Sequence, residues 1–313
     1  MRHLTYVLRR LVAMIPVLFG ITLIVFFMIH LVPGDPARTL LGVRATDSSV
    51  AALHKAFGLD KPVWQQYLDF LGRLSHADLG QSFFYNTDVR GLVAGRLPAT
   101  LWLLVAATVL ALLISVPLAV VAASRRGGSL DQLIRAVPLL GLGMPAFWLG
   151  IMLILLFALR VRLFPVSGFG DNTLGHLRSI ILPGLTVALA LAPILIRSLR
   201  TSMIAVLDSD YVVTARAKGL THRRIIVGHT LRNAAVSSVT VLGVNIAYLV
   251  GSTLVVERVF SLPGLGTLML EAIFNRDFAV VQAVTLLFAV IVVVVNLLTD
   301  VAHAALDPRV ETS

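Results

Sequence analysis

The sequence contains no cysteine among its 313 residues. Disulfide bonds, thiolate nucleophiles and cysteine-ligated metal centres are therefore excluded. Charged residues are also scarce, at 13% of the chain, whereas 58% of the residues are hydrophobic and the mean hydropathy is +0.91. A soluble domain needs more polar surface than this composition provides, so the chain is predicted to be an integral membrane protein.

Basic and acidic residues are unbalanced, with 26 Lys and Arg against 16 Asp and Glu, which gives a net charge of +10. The basic residues lie at the ends of apolar runs, so they indicate orientation in a membrane rather than nucleic-acid binding. The histidines have no metal-ligand spacing, and a Gly-x-x-x-x-Gly-Lys-Ser/Thr phosphate loop is absent from the sequence. Neither a metal site nor an ATP-binding site is expected in this chain.

Six runs of the sequence are nearly free of charge and long enough to cross an apolar core about 30 Å thick. Backbone polar groups in lipid must bond within their own segment, so each run is predicted to be helical. No small-x-small cleavage site follows the first run, which is therefore expected to stay as a span. The predicted fold class is an all-α polytopic membrane protein, with six transmembrane helices in one domain over residues 1–313. The runs are residues 11–32, 97–124, 136–159, 179–196, 233–256 and 278–299.

Charge also predicts the orientation of these runs. If the N-terminus is cytoplasmic, the inner segments carry 14 basic and 6 acidic residues, and the outer segments carry 12 and 10. The positive-inside rule then places both termini in the cytoplasm. Residues 33–96 become a large extracytoplasmic loop after the first helix, and its amphipathic parts are expected to form short helices. Residues 261–277 are too short to span, so an outer-mouth or re-entrant segment is predicted there.

Residues 207–232 form a basic, polar segment that must lie in water on the cytoplasmic side. Ser209 or Asp210 is a suitable N-cap, a short helix is predicted over 211–218, and Gly219 stands where a helix ends in the left-handed conformation. A preformed helix in this place indicates a docking surface for a partner; the alternative is a basic loop that touches anionic lipid headgroups. The candidate docking residues are Tyr211, Thr214, Ala215, Arg216, Ala217, Lys218, Gly219 and Leu220.

Two stripes of residues lie along the helix predicted for the fifth run. Gly243, Ala247 and Gly251 recur every four residues and form a ridge on which another helix can pack closely. Four polar residues lie on a stripe roughly opposite, where they either line a polar pathway or bond to neighbouring helices. Glu257 and Arg258, at the outer end, are expected to extend their charges to water. The candidate pathway residues are Ser238, Asn245, Tyr248 and Ser252.

Short motifs are spread over almost the whole chain. They are Leu8-Arg-Arg-Leu, His30-Leu-Val-Pro-Gly-Asp-Pro, Gly58-Leu-Asp-Lys-Pro, Gln66-Tyr, Asp78-Leu-Gly, Leu97-Pro-Ala-Thr-Leu, Pro165-Val-Ser-Gly, Asp210-Tyr-Val-Val-Thr-Ala-Arg-Ala-Lys-Gly-Leu, Leu231-Arg-Asn-Ala, Pro263-Gly-Leu-Gly and Asp307-Pro-Arg. Together they resemble the B-type permease subunit of bacterial dipeptide, oligopeptide and nickel ABC importers. The cytoplasmic motif that begins at Asp210 is the most specific of them.

The resemblance implies a type I ABC importer permease architecture and a non-catalytic, multi-pass subunit of the bacterial plasma (inner) membrane. It implies a second homologous permease subunit and one or two ABC ATPase subunits, which bind ATP and Mg²⁺ and dock on the cytoplasmic helix. It also implies an extracytoplasmic binding protein that delivers short peptides. Membrane lipid is a further partner. The resemblance implies no cofactor bound to this chain and no nucleic-acid partner.

Alternative functions stay open at this point. Nickel or glutathione import is one, because permeases of this type share the same motifs. An ATP-independent secondary transporter is another, although a proton-coupled carrier normally has ionisable residues deep within its spans. The six runs contain essentially none, apart from His30 at an interface. The same absence counts against a membrane-embedded enzyme.

Overall fold

A computed structural model gives the fold of residues 2–31, 38, 46–57 and 60–306. These residues form helices almost throughout, together with one short antiparallel hairpin, in which β1 (Gln81–Ser82) pairs with β2 (Thr87–Asp88). Two π-helical segments extend α-helices: Ile154–Arg160 continues α6, and Ile225–Leu231 joins α9 to α10. The helices are α1 (Arg2–Leu31), α2 (Asp47–Phe57), α3 (Val63–Ser75), α4 (Val89–Ser124), α5 (Ser129–Leu142), α6 (Ala146–Leu153), α7 (Thr173–Leu207), α8 (Asp210–Ala217), α9 (His222–Arg224), α10 (Arg232–Val259), α11 (Leu265–Phe274) and α12 (Phe278–Leu306).

Helices occupy all six predicted apolar runs. Within the described residues, three helical stretches are long and apolar enough to cross a membrane by themselves, namely Val89–Ser124, Thr173–Leu207 and Phe278–His303. A fourth is added if His222–Val236 and Ser238–Ala247, which meet at a 47° bend, count as one span. Val12–Met28 and Ala146–Arg160 are shorter apolar helices within the first and third runs.

The third run is not one continuous helix, contrary to the prediction. α5 ends at Leu142 and α6 begins at Ala146, with Pro145 between them in an extended conformation (φ −59°, ψ 137°). Proline has no backbone N–H to donate and disfavours the helical conformation in the residue before it. A hydropathy pattern does not register this break, because the intervening Gly143, Met144 and Pro145 carry no charge and the run around them is apolar.

Two predicted boundaries also move. α4 begins at Val89, so the last eight residues of the predicted loop 33–96 are helical, and the Asp88 carboxylate caps the helix by accepting from the Arg90 N–H (3.3 Å). α7 extends well beyond the predicted 179–196 and runs unbroken through Pro183 and Pro193, both of which are buried. Tertiary packing around the two prolines offsets the loss of their N–H groups.

The core lies between α4 and α7 and is completed by α6, α10, α11 and α12. Gly184 permits the close approach of the two central helices, since a Cβ there would lie 3.2 Å from the Cβ of Ala106. A separate apolar cluster joins α1, α3 and α12 through Phe26, Phe70 and Leu286. The amphipathic part of residues 33–96 therefore contains a short helix, as predicted, and that helix packs on α1. The β-hairpin was not predicted.

Candidate functional site

The predicted cytoplasmic helix is present as α8, one residue earlier at each end than expected. Ser209 precedes it in an extended conformation (φ −80°, ψ 150°), and Gly219 follows it with a φ of +77°. The Leu220 N–H donates to the Ala215 carbonyl (3.2 Å) and the Gly219 N–H to the Arg216 carbonyl (2.9 Å). These two bonds form a Schellman motif, which requires the left-handed residue that glycine supplies.

α8 has one anchored face and one free face. Val212 is fully buried, and the Tyr211 hydroxyl accepts a hydrogen bond from the Asn233 amide (3.0 Å) at the start of α10. The other predicted docking residues lie at the surface: Thr214, Arg216, Ala217, Lys218 and Gly219 are exposed, and Ala215 and Leu220 are half-buried. The structure thus brings all eight together on α8 and the turn that ends it. Sequence reasoning missed Val212, whose burial fixes that helix to the protein.

Charged residues near α8 tie the connection between α4 and α5 to the end of α7. Arg126 pairs with Asp208 (2.7 Å) just before α8. Asp131 is completely buried and accepts two hydrogen bonds from the guanidinium of Arg200, at 2.6 and 2.7 Å, and one from the Gly127 N–H. The Arg200 hydrogen bonds hold the pKa of Asp131 below its usual value, although burial acts in the opposite direction.

A second polar cluster lies around α11, in the segment predicted to form the outer mouth. Glu257 was expected to reach water, but its side chain is completely buried, whereas that of Arg258 is exposed. The Glu257 carboxylate accepts hydrogen bonds from the Thr100 hydroxyl (2.6 Å) and the Thr267 N–H (3.0 Å). The Thr100 hydroxyl in turn accepts from the Leu265 N–H (2.8 Å). Backbone N–H groups in the first turn of α11 thereby donate to side chains of α4 and α10.

The β-hairpin is attached to the other end of α11. Asp277 is buried and accepts from the Ser82 hydroxyl (2.5 Å) and the Phe84 N–H (3.3 Å). The Tyr85 hydroxyl donates to Glu271 (2.6 Å), and burial, together with this carboxylate, raises the pKa of Tyr85 to about 12. The tyrosine therefore keeps its donor proton at physiological pH.

The predicted pathway residues of α10 are less clearly separated from the ridge. Ser238, Asn245 and Ser252 are half-buried, and their side chains bond to carbonyls of α10 itself. The side chain of Tyr248 lies outside the described part of the chain. On the ridge, a Cβ at Gly243 would collide with Thr299 of α12, whereas nothing lies within 4 Å of one at Gly251. The ridge therefore packs on α12 at Gly243 and is open at Gly251.

Two family models cover nearly all of the chain. The binding-protein-dependent transport system inner membrane component matches residues 115–312, and the N-terminal part of such membrane components matches residues 3–104. The chain belongs to this family. The permease is 37% identical to the oligopeptide transport system permease protein AppB of Bacillus subtilis, over 98% of this chain and 99% of that protein. It is also 37% identical to the dipeptide transport system permease protein DppB of Escherichia coli K12, over 98% of both chains.

The fold of the permease also resembles a solved transporter. A chain of the MetNI methionine ABC transporter in an inward-facing conformation superimposes with a TM-score of 0.59 at 17% identity, over 69% of this chain and 96% of that one. The resemblance to B-type permeases of peptide ABC importers is therefore confirmed, and with it a helical, multi-pass membrane protein with a type I importer fold. The roles of the individual docking and pathway residues stay predictions.

Proposed function

We propose that this permease forms half of the translocation pathway of an ATP-driven importer of short peptides in the bacterial inner membrane. It works with a second homologous permease, one or two ATPase subunits that bind ATP and Mg²⁺, and an extracytoplasmic binding protein. The names of the relatives support a peptide substrate, and they match over almost their full length. The chain itself is non-catalytic in this proposal.

The proposed topology has six spans and cytoplasmic termini, with α5 and α6 as one broken span. Residues 33–96 and the outer-mouth segment 261–277 lie outside, and the coupling loop 207–232 lies inside. The alternation of helix ends supports this arrangement. Arg126, after α4, contacts Asp208, after α7, so α4 and α7 end on the same side. α10 starts beside Tyr211 on that side and ends at Glu257, which contacts Thr100 near the start of α4.

In this proposal α8 transmits the motion of the ATPases to the spans. The observation that supports this role is that α8, a capped helix, has one face anchored to the protein and one free face. Val212 anchors α8, whereas Arg216, Ala217 and Lys218 are free to meet a partner. Because α8 is joined to α7 through the Asp208 turn and to α10 through Tyr211 and Asn233, displacing it displaces both helices.

The test uses the complete complex in vesicles with Ala215→Trp and Gly219→Val. The indole at 215 blocks close contact, since packed interfaces do not absorb extra volume, and valine at 219 is strained at φ +77°. We expect both variants to insert and to bind the binding protein, with substrate-stimulated ATP hydrolysis and dipeptide uptake reduced together at least tenfold. Gly72→Val is the control, because Gly72 is also exposed and uncrowded but has no positive φ.

Wild-type uptake and ATPase activity in both variants would rule out the coupling role. The same vesicles test the substrate class by competition against labelled dipeptide. Unlabelled dipeptides should displace the label, whereas Ni²⁺ and glutathione should not. Displacement by Ni²⁺ or glutathione alone would assign the permease to one of those substrates instead.

A further inference from the structure

Glu257 is a completely buried carboxylate at the C-terminal end of α10, and its hydrogen bonds come from neutral donors. Burying a charge is costly unless hydrogen bonds compensate for the lost water. The compensation here comes from Thr100 on α4 and from the first turn of α11. One side chain therefore joins α10 both to α11, which follows it closely in the sequence, and to α4, whose Thr100 is 157 residues away.

The first turn of α11 depends on this contact. Helix N-termini leave their first N–H groups without partners inside the helix, and a side chain at the N-cap usually accepts from them. The N-cap of α11 is Gly264, which has no side chain to do so. Glu257 accepts from the Thr267 N–H, and Thr100 accepts from the Leu265 N–H. Residues of α10 and α4 thus replace the missing cap.

The two glycines of the Pro263-Gly-Leu-Gly motif make the contact possible. A Cβ at Gly264 would occupy the position of the Glu257 carboxylate. A Cβ at Gly266 would lie 2.6 Å from the backbone Cα of Leu254 on α10. Leu265 is completely buried between these close approaches. The start of α11 is consequently pressed onto α10 without intervening side chains.

The direction of each hydrogen bond defines which group is needed at position 257. The Thr100 hydroxyl uses its proton toward one carboxylate oxygen while its own oxygen accepts from Leu265. The other carboxylate oxygen accepts a backbone N–H. A carboxylate accepts both bonds as they stand. Glutamine has one acceptor oxygen, so when that oxygen keeps the Thr267 N–H, the amide N–H must donate to the Thr100 oxygen and the direction of that bond is reversed.

We propose that Glu257 and Thr100 are positioning residues for transport, which fix α11 to α10 and α4 so that the outer-mouth helix moves as a rigid extension of α10. This inference rests on the proposed function. The helical path from 222 to 259 links the coupling loop to Glu257, and Glu257 links it to α11. The opposite end of α11 is held by Tyr85 through Glu271. Movement of the cytoplasmic loop thereby reaches the outer mouth without a flexible joint at Gly264.

The experiment uses the complete complex in vesicles and two readouts. The first is the number of dipeptides imported per ATP hydrolysed. The second is the labelling rate of a single cysteine, Leu268→Cys, by a membrane-impermeant maleimide. The natural chain has no cysteine, and Leu268 is completely buried, so the label reports only on release of α11. The variants are Glu257→Gln and Thr100→Val, with Thr100→Ser as the conservative replacement.

We expect Glu257→Gln and Thr100→Val to raise the labelling rate at position 268 at least tenfold and to lower the dipeptides imported per ATP at least tenfold. ATP hydrolysis should stay within about twofold of the wild type, because α8 is untouched. Thr100→Ser should restore both readouts. Thr108→Val is the matched control and should behave as the wild type, since within the described part of the chain the Thr108 hydroxyl bonds only to the Leu104 carbonyl of its own helix, at 2.8 Å. The double variant should be no worse than Glu257→Gln alone.

Unchanged labelling and unchanged coupling in both variants would overturn the proposal. If Glu257→Gln fails to assemble, Thr100→Val decides alone; failure of both to assemble would show a purely structural role and would also overturn it. The labelling readout needs no transport. A wild-type complex that imports no dipeptide would therefore refute the proposed function, while the protection of position 268 still tests the attachment of α11.

Discussion

Gly243 and Gly251 stand on the same stripe of α10 but have different surroundings. An added methyl at Gly243 meets Thr299, and one at Gly251 meets nothing within 4 Å. We expect Gly243→Ala to destabilise the isolated permease by about 1–3 kcal/mol, because overpacking forces α12 to shift. Gly251→Ala should be neutral or slightly stabilising, since alanine favours helices. Thermal unfolding in detergent measures both, and equal effects of the two changes would contradict this assignment.

Thr230 provides a second residue-scale prediction. Its hydroxyl is buried in the π-helical segment Ile225–Leu231 and has no hydrogen-bond partner among the described residues. An unsatisfied buried hydroxyl costs about 1–3 kcal/mol, so Thr230→Val, which keeps the shape, should raise the stability by about 1 kcal/mol. Thr230→Ser retains the hydroxyl and should not. A lower unfolding midpoint for Thr230→Val than for the wild type would show that the hydroxyl has a partner in the working protein.

The residue scale also shows where sequence reasoning succeeds and fails. Gly219 was predicted correctly because the left-handed end of a helix depends on adjacent residues. Glu257 was misinterpreted as a charge that extends to water. Its burial depends on Thr100, which is 157 residues away, and on two glycines that admit its carboxylate. No local pattern contains that information, although an acidic residue shortly before Pro-Gly-x-Gly is a signal that invites the question.

At the scale of elements, apolar runs predicted where helices occur but not how they are divided. The helix breaks at Pro145 within the third run, whereas α7 continues unbroken through Pro183 and Pro193. The same residue type therefore has opposite effects in the two places. Burial does not decide between them, because α4 also continues through Pro98 and Pro117, which are exposed. The β-hairpin escaped prediction because its attachment depends on Asp277, nearly 200 residues later.

The attachment of α5 to α7 gives an element-scale prediction. Arg200 supplies two of the hydrogen bonds to buried Asp131, so Arg200→Met leaves a carboxylate buried with its main partner removed. Breaking a buried pair in this way costs about 3–5 kcal/mol, and we expect an unfolding midpoint lowered accordingly and faster proteolysis near residue 127. An unchanged midpoint and unchanged proteolysis would contradict a structural role for the pair.

The pH dependence of this pair follows from the lowered pKa of Asp131. A carboxyl group whose pKa is depressed on folding contributes stability that is fully present above its unfolded pKa, near 3.9, and is lost as the pH falls through the folded value. The contribution of the pair should therefore be constant between pH 5 and 8. The difference in unfolding midpoint between the wild type and Asp131→Asn, which has no carboxyl group to titrate, should be constant over that range, and a difference that disappears near pH 6 would contradict the assignment.

At the scale of the whole molecule, the two polar clusters lie at opposite ends of α10. Asn233, at its first turn, contacts α8, and Glu257, near its last, accepts a hydrogen bond from the first turn of α11. α10 bends by 47° near residue 237, and residues 238–259 beyond the bend extend roughly 33 Å at about 1.5 Å per residue, about the thickness of the apolar core. In the proposed topology, this arrangement puts the segment 207–232 and α11 on opposite sides of the membrane. The positive-inside count makes the same prediction from charge alone.

Topology can be tested with two matched serine replacements, because the natural chain has no cysteine. Ser75 lies at the end of α3 and Ser129 at the start of α5, and both are exposed. Cysteine is close to serine in size, so neither Ser75→Cys nor Ser129→Cys should disturb the fold. An impermeant maleimide added to intact spheroplasts should label Ser75→Cys, whereas Ser129→Cys should react only in inverted vesicles, where the face that carries Arg126 and α8 is turned outward. Reaction of both cysteines from the same side would mean that α4, which lies between them, does not cross the membrane, and the six-span topology would then be wrong.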